Sequence, residues 1–399
     1  MIQFNNLQSF FQNEKLSIGQ MVPSKVGNSS IDDLVLSKME SADIEEQIFT
    51  LLRKVGLGCT KENQQLLRVF LNEQLPISKE SLKAATEWLK EIAKSDIPKA
   101  LEAIKITVQK ELPLTGPILN SMLALQTEET ITNNLGKVFE ALISINPNST
   151  KSNTLQQLEI LLRQLTGQIL ETAPSETPPP IKPNLDWGSG KDVTQFFKQT
   201  VEALGLHYEH DISILEKDQI VENKLLSLKT LLMKALEETS DSQLKEKMDQ
   251  LLTRITGHQL INSGQDGQFQ QLLLQLPILL GNYSTDVRFK WVGKKQQNGQ
   301  IDPDYCRILF YLELEHLREM LVDVHVQNRI VNIQIYNENP KLNPVIKSVQ
   351  QLLKEKLENL QYHLSSIIVS TKNNENKKNI ASEKLSTFSP SMNGVDIKI

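Results

Sequence analysis

A chain of 399 residues has room for two or three domains, each able to bury its own core. With 43 basic against 48 acidic residues, a net charge of −5 and a pI near 5.8, it is ill suited to general affinity for nucleic acid or anionic membrane. The low aromatic content (5%) beside many Leu, Gln, Lys and Glu residues favours helices over a β-sandwich.

The opening MIQFNNLQSFFQNEKLSIGQ has neither the basic and apolar regions nor the cleavage box of a Sec-type signal. Residues 1–42 are polar and aperiodic and read as a flexible N-terminus. No run of about 18 apolar residues occurs, so no membrane insertion is expected. Cys59 and Cys306 are far apart and outside any CxxC motif. They read as buried thiols of a protein made in the cytoplasm.

A helical domain is expected over residues 43–171. Ile44, Ile48, Leu51, Leu52 and Val55 share one face, with Asp43 and Glu46 placed as a capping box. Thr60 is placed to cap the next helix, with Leu66, Leu67, Phe70 and Leu71 as its stripe. Ser78 is placed to cap a third, in front of Leu82, Ala85, Trp88, Leu89 and Ile92. A linker at 172–190 is proline-dense (APSETPPPIKPN), and a second helical region covers 191–280. LLTRITGHQL near its end echoes LLRQLTGQIL at Leu161–Leu170, either through duplication or because Leu-rich helix ends look alike.

From Gly281 the apolar period becomes two. Val287, Phe289 and Trp291 alternate with Arg288 and Lys290, and Asn298-Gly299 marks a turn. Cys306, Ile308, Phe310, Leu312 and Leu314 form the next alternating run. Then come Val322, Val324, Val326 and, past Asn328-Arg329, Val331, Ile333 and Ile335. Asn343-Pro344 opens a helix whose stripe is Val345, Val349, Leu352, Leu353, Leu357 and Leu360, and Leu364–Val369 reads as a closing strand. The expected fold is therefore multidomain. All-α helical regions precede a small α+β C-terminal domain at 281–370, an antiparallel sheet with one packed helix, and a disordered tail at 371–399.

Signatures of chemistry are sparse. HYEHD (His207 to Asp211) offers two His three apart, which a metal site would have to supplement from elsewhere. WGSGKD (Trp187 to Asp192) contains GSGK but has Leu185 and Asp192 where a phosphate loop needs Gly and Ser or Thr. Neither an enzyme, nor a cofactor, nor a metal is expected. Glu313 and Glu315 read as a solvated face.

The run DYCRILFYLELEHLREMLVDVHVQNRIVNIQIYNENPKLNPVIKSVQQLLKEKLENLQYHLSSIIV, within 281–370, resembles the C-terminal domain of the flagellar hook-length control (FliK) family. That family has a leading strand, an L-x-P-x-x-L-G-type corner, two short strands, an amphipathic helix and a last strand. Here the corner reads Leu314-Glu315-His316-Leu317-Arg318; its proline is missing and Arg318 stands where the family has Gly. The turn Gly is replaced near Asn328, which tolerates left-handed φ.

The resemblance implies a binding function. Such proteins are made in the cytoplasm, leave through the flagellar type III apparatus, and bind the cytoplasmic domain of the FlhB-type export-gate protein. That contact switches export from rod and hook to filament subunits. The partners implied are this gate domain and hook or hook-cap proteins, with no nucleic acid. Residues expected at the partner surface are Glu315, His316 and Arg318 at the corner, and Asp323, His325, Asn332 and Gln334 on the solvent parity of the ribbon. The long Pro/Gln-rich tape of the family is absent here. An alternative is thus a non-exported scaffold that keeps the domain and pairs with a stand-alone gate-like domain. A third reading is a nucleic-acid binder using Arg288 to Lys295.

Overall fold

The structure is a computed structural model, and it describes residues 41–145, 152–167, 188–206, 226–263, 269–281, 283–296 and 301–370. The N-terminal 40 residues, the proline-dense linker, HYEHD, the Asn298-Gly299 turn and the tail after Ser370 lie outside them. Eleven α-helices and a six-stranded sheet occupy the described residues. The chain divides into two units between Leu119 and Asn120.

The first unit holds α1 (Ser41–Val55), α2 (Lys61–Asn72), α3 (Lys79–Leu89) and α4 (Ile97–Gln109). Helix α1 opens at Ser41, so Asp43 lies inside its first turn. Thr60 and Ser78 cap as expected: Thr60 Oγ1 accepts the Asn63 N–H at 3.2 Å and Ser78 Oγ accepts the Ser81 N–H at 3.0 Å. The stripes they launch meet in a core containing Leu66, Leu67, Phe70, Leu82, Ala85 and Ile104. Each such Leu or Ile contributes about 1.5–3 kcal/mol by leaving water. One polar link crosses this core, Thr86 Oγ1 donating to Asn63 Oδ1 at 3.1 Å. Cys59, expected to be buried, is exposed on the loop before α2, while Cys306 is buried.

Helix α5 (Gly116–Leu125) contains the division, and α6 (Ile131–Ser144), α7 (Asn153–Thr166), α8 (Gly190–Leu204), α9 (Leu228–Glu238) and α10 (Ser242–Ile261) belong to the second unit. Ser189, in the GSGK stretch, is the N-cap of α8 and accepts the Asp192 N–H at 3.3 Å. The two echoing segments fold differently. Gly167 ends α7 in the left-handed region (φ +75°), whereas Gly257 lies inside α10.

The sheet runs β1 (Phe269–Leu280), β2 (Tyr283–Lys295), β3 (Ile301–Leu314), β4 (Arg318–Gln327), β5 (Ile330–Tyr336) and β6 (His363–Ser370), in that spatial order. Strand β1 replaces the end of the expected second helical region. Its run QQLLLQLPILL is apolar without alternation, a pattern shared by a buried strand and a buried helix. Helices α6, α7, α8 and α10 pack against it, and Leu273, Leu274, Leu276 and Ile278 are all buried. On one face Phe197 of α8 lies 6.2 Å from Phe289 of β2; on the other Arg254 of α10 donates to Gln275 of β1 at 3.3 Å.

The sheet is mixed, not antiparallel throughout. Neighbours β1 to β5 pair antiparallel, but β5 and β6 are parallel. The reason is the connection: α11 (Leu342–Asn359) carries the chain back to the start of β5 before β6 begins. Of its apolar positions Leu342 is buried and Ile346, Leu353 and Leu357 half-buried, while Val345, Val349, Leu352 and Leu360 are exposed. The helix therefore does not bury the whole expected stripe over the ribbon.

Candidate partner-binding site

The residues expected at a partner surface fall into two groups at opposite ends of β4. The first is the ribbon. Register pairs Asp323 with Gln334 and His325 with Asn332, so these four side chains share one face. The turn joining the strands has Asn328 at φ +49° and Arg329 at φ +64°, the left-handed pair of a tight hairpin. Arg329 is held there by Nε donating to Asp304 Oδ1 at 3.0 Å and Nη1 donating to Gln361 Oε1 at 2.9 Å.

The expectation that this face is solvated needs correction at Asp323, which is 4% exposed. Arg307 on β3 reaches its carboxylate with both prongs, Nε to Oδ1 at 2.9 Å and Nη2 to Oδ2 at 2.7 Å. His325 Nε2 lies 3.1 Å from Oδ1. Burial pushes the Asp323 carboxyl up, but hydrogen bonds from Arg307 and His325 and their charges outweigh it and hold it below the ordinary carboxylate value. Leu309 and Leu321 are buried beside it, and Val322, Val324 and Val326, expected as core, are only half-buried. Asn332 and His325 are exposed and Gln334 half-buried. Asp323 thus organises the face and His325 and Asn332 present it.

The same parity buries Arg288 and Lys290, which leaves Lys294 as the exposed cation of that strand. The basic strand expected for a nucleic-acid reading is therefore mostly interior.

The second group is the corner between β3 and β4. Glu315 and His316 are exposed, and Arg318 takes φ +57°, the left-handed conformation suited to the Gly of the resembled pattern. Asn337, fully buried, fixes this corner from the far side. Its Nδ2 donates to the carbonyls of Leu317 at 2.7 Å and Glu319 at 2.9 Å, and its Oδ1 accepts the Asn339 N–H at 2.8 Å. Asn339 Oδ1 in turn accepts the Lys341 N–H at 2.9 Å just before α11. The result is a recess of about 350 Å³ lined by His316, Leu317, Arg318, Glu319, Glu338 and Asn339.

Sequence reasoning placed His316 and Arg318 there but missed Glu319, Glu338, Asn337 and Asn339. The signal was NENP, residues 337–340: two Asn and a Pro of this spacing mark side-chain-closed turns. Among the described residues no group of three or more His, Cys, Asp and Glu converges as metal ligands would, and no helix is long and apolar enough to cross a membrane.

Comparison with known proteins finds a distant relative. The chain is 26% identical over 214 residues to a Bacillus subtilis (strain 168) protein described as "Uncharacterized protein YlqG". The match covers 52% of this chain and 36% of that protein, so the chain spans about a third of the length of the curated relative it matches. No family model and no solved structure matches.

Proposed function

We propose that the chain is a hook-length-control-like protein whose C-terminal α+β module binds an FlhB-type export-gate domain and helps switch type III export specificity. The corner carries this reading. Arg318 adopts the left-handed backbone at the position where the resembled pattern has Gly, and the exposed Glu315 and His316 flank a recess braced by Asn337. The role is binding and not catalysis. The protein is made in the cytoplasm, and export through the flagellar apparatus belongs to the same reading, as do hook or hook-cap proteins as further partners. Deleting the gene tests it: overlong hooks and lost filaments are expected, and normal motility would contradict the reading.

A second reading has an observation of its own. Asp286 of β2 binds the first turn of α6, so the sheet and the helices of this unit share one core. Such a body suits a non-exported scaffold that pairs with a stand-alone gate-like domain, since passage through a narrow channel requires unfolding it. Secretion of the protein from cells with intact hook–basal bodies would exclude this second reading.

A further inference from the structure

The apolar face that α8 covers at β1 and β2 continues across the sheet. Register sets Phe289 beside Phe310, Phe310 beside Val322 and Val322 beside Ile335, so all four stand on the side where Phe197 of α8 meets Phe289. At β1 and β2 this face is closed, with Leu274, Leu276 and Val287 buried. At β3 and β4 it is not: Ile308, Phe310, Val322 and Val324 are each half-buried. Among the described residues α8 packs on β1 and α11 on β6, and no helix packs comparably on β3 or β4.

Helix α11 turns an apolar flank to the same space. Val345, Val349, Leu352 and Lys356 follow one another four, three and four residues apart and form one line along the helix. Lys356 Nζ donates to the carbonyl of Gly188, just before α8, so this line looks across the sheet toward α8. Its three aliphatic side chains are 55%, 44% and 53% exposed. The result is an apolar trough with β3 and β4 as its floor, α8 and α11 as its walls, and Lys356 across one end.

This geometry restricts what can fill the trough. Strands β3 and β4 are paired on both edges, so an extended segment finds no free backbone groups on the floor. A second copy does not suit either. Its own apolar flank would lie inside its own trough, and the outer side of α11 carries the exposed Ser348, Gln351 and Glu355. An α-helix satisfies its backbone internally and brings an apolar stripe to the floor. Strands β1 and β6 stand five spacings apart, about 24 Å, and helices pack roughly 8–10 Å apart, which leaves width for one helix between α8 and α11. A helix of about 15 residues is about 22 Å long and roughly 10–12 Å wide. Touched on three sides it buries on the order of 700 Å², close to the roughly 800 Å² per partner of a stable interface.

We propose that this trough binds an amphipathic α-helix of a partner protein, one with large aliphatic side chains three and four residues apart along one side. This inference is independent of the export-switch reading. The probe is a fluorescein-labelled helical peptide of Leu, Glu and Lys with its leucines three and four residues apart, titrated with the full chain and followed by anisotropy. Saturable binding is expected, at least tenfold tighter than for a peptide of the same composition with the leucines dispersed around the helix. Val349→Asp combined with Leu352→Asp, both at exposed positions, should weaken it at least tenfold with the melting curve unchanged. No saturable binding, equal affinity for the two peptides, or indifference to the two substitutions would overturn the proposal. So would resistance to maleimide of a Val349→Cys, Cys59→Ser chain without peptide, because the trough would then be filled already. Resistance that grows with protein concentration would give it to a second copy, and resistance that does not would give it to the chain itself.

Discussion

Asp286 on β2 caps helix α6 across 155 residues of chain, its carboxylate accepting the N–H of Ile131 at 2.7 Å and that of Thr132 at 3.0 Å. Thr132 also donates to it through its hydroxyl, as does Gln275 of β1 through its amide. Gln275 accepts in turn from Arg254, whose other nitrogen donates to the Ala124 carbonyl at 2.8 Å. A polar chain therefore runs from α5 through α10 and the sheet to the positive end of α6.

Asp286→Ala should destabilise the protein by about 1–3 kcal/mol, because two N–H groups at a buried helix start lose their acceptor. Asp286→Asn keeps one acceptor oxygen and should cost less. Urea unfolding followed by circular dichroism measures both, and an unchanged midpoint in Asp286→Ala would mean the cap does not hold helix to sheet.

Stability should also fall with pH through His258. Burial, then the charges of Arg254 and Arg288, push its imidazole down to about 3. It is neutral in the fold, while in the unfolded chain it takes a proton below about pH 6.5. The unfolded state thus binds the extra proton between those values, and stability is lost as pH falls through that window. Replacing His258 by Gln should flatten the stability–pH slope there by one proton, read from unfolding midpoints at closely spaced pH values. An unaltered slope would mean the imidazole is charged or accessible.

Asp323 gives a separate acid limb. Its carboxyl is held below the ordinary value, so the stability it contributes is present above about pH 4 and is lost as pH falls through the folded value. Arg307→Ala should cost about 3 kcal/mol, near the low end for removing one partner of a buried pair. The low end applies because Arg307 is itself 31% exposed. Asp323→Asn should remove the acid limb below pH 4 while leaving the His258 limb in place, and calorimetry across pH 2–7 separates the two.

How much of this was legible in the sequence follows from what each residue type can signal alone. Thr60 and Ser78 were readable as caps because capping is local, settled within three residues of chain. The ribbon was readable because alternation is local too, and Asn328 marked its turn. Strand β1 was not, since its Leu-rich run carries no alternation, and its burial on both faces is decided by helices more than a hundred residues away along the chain. Asp323 was assigned to solvent because alternation assumes one wet face; only the pairing with Arg307 across β3 and β4 makes its burial tolerable. The Asp286 cap lies beyond local reading for the same reason. At the corner, His316 and Arg318 were visible from the resemblance, and the Asn337 brace became evident only once β5 was placed beside the β3–β4 turn.

Close packing makes a further demand at Gly257. A Cβ there would stand 2.4 Å from the backbone oxygen of Ser121 and 3.0 Å from Leu125 Cγ. Gly257→Ala should therefore lower stability by about 1–3 kcal/mol through overpacking, although Ala is the better helix former by up to about 1 kcal/mol. Thermal denaturation decides the sign; a higher melting temperature would mean α10 and α5 can move apart at no cost.

Binding of the full chain to the purified cytoplasmic domain of an FlhB-type gate protein tests the central claim most directly. The intact chain is required because β1 completes the sheet on one side of β2, so a fragment starting at residue 281 would expose that strand. Saturable binding is expected, weakened at least tenfold by Glu315→Lys combined with His316→Asp, two exposed positions, with the melting curve unchanged. No saturable binding, or binding indifferent to the corner substitutions, would contradict the account.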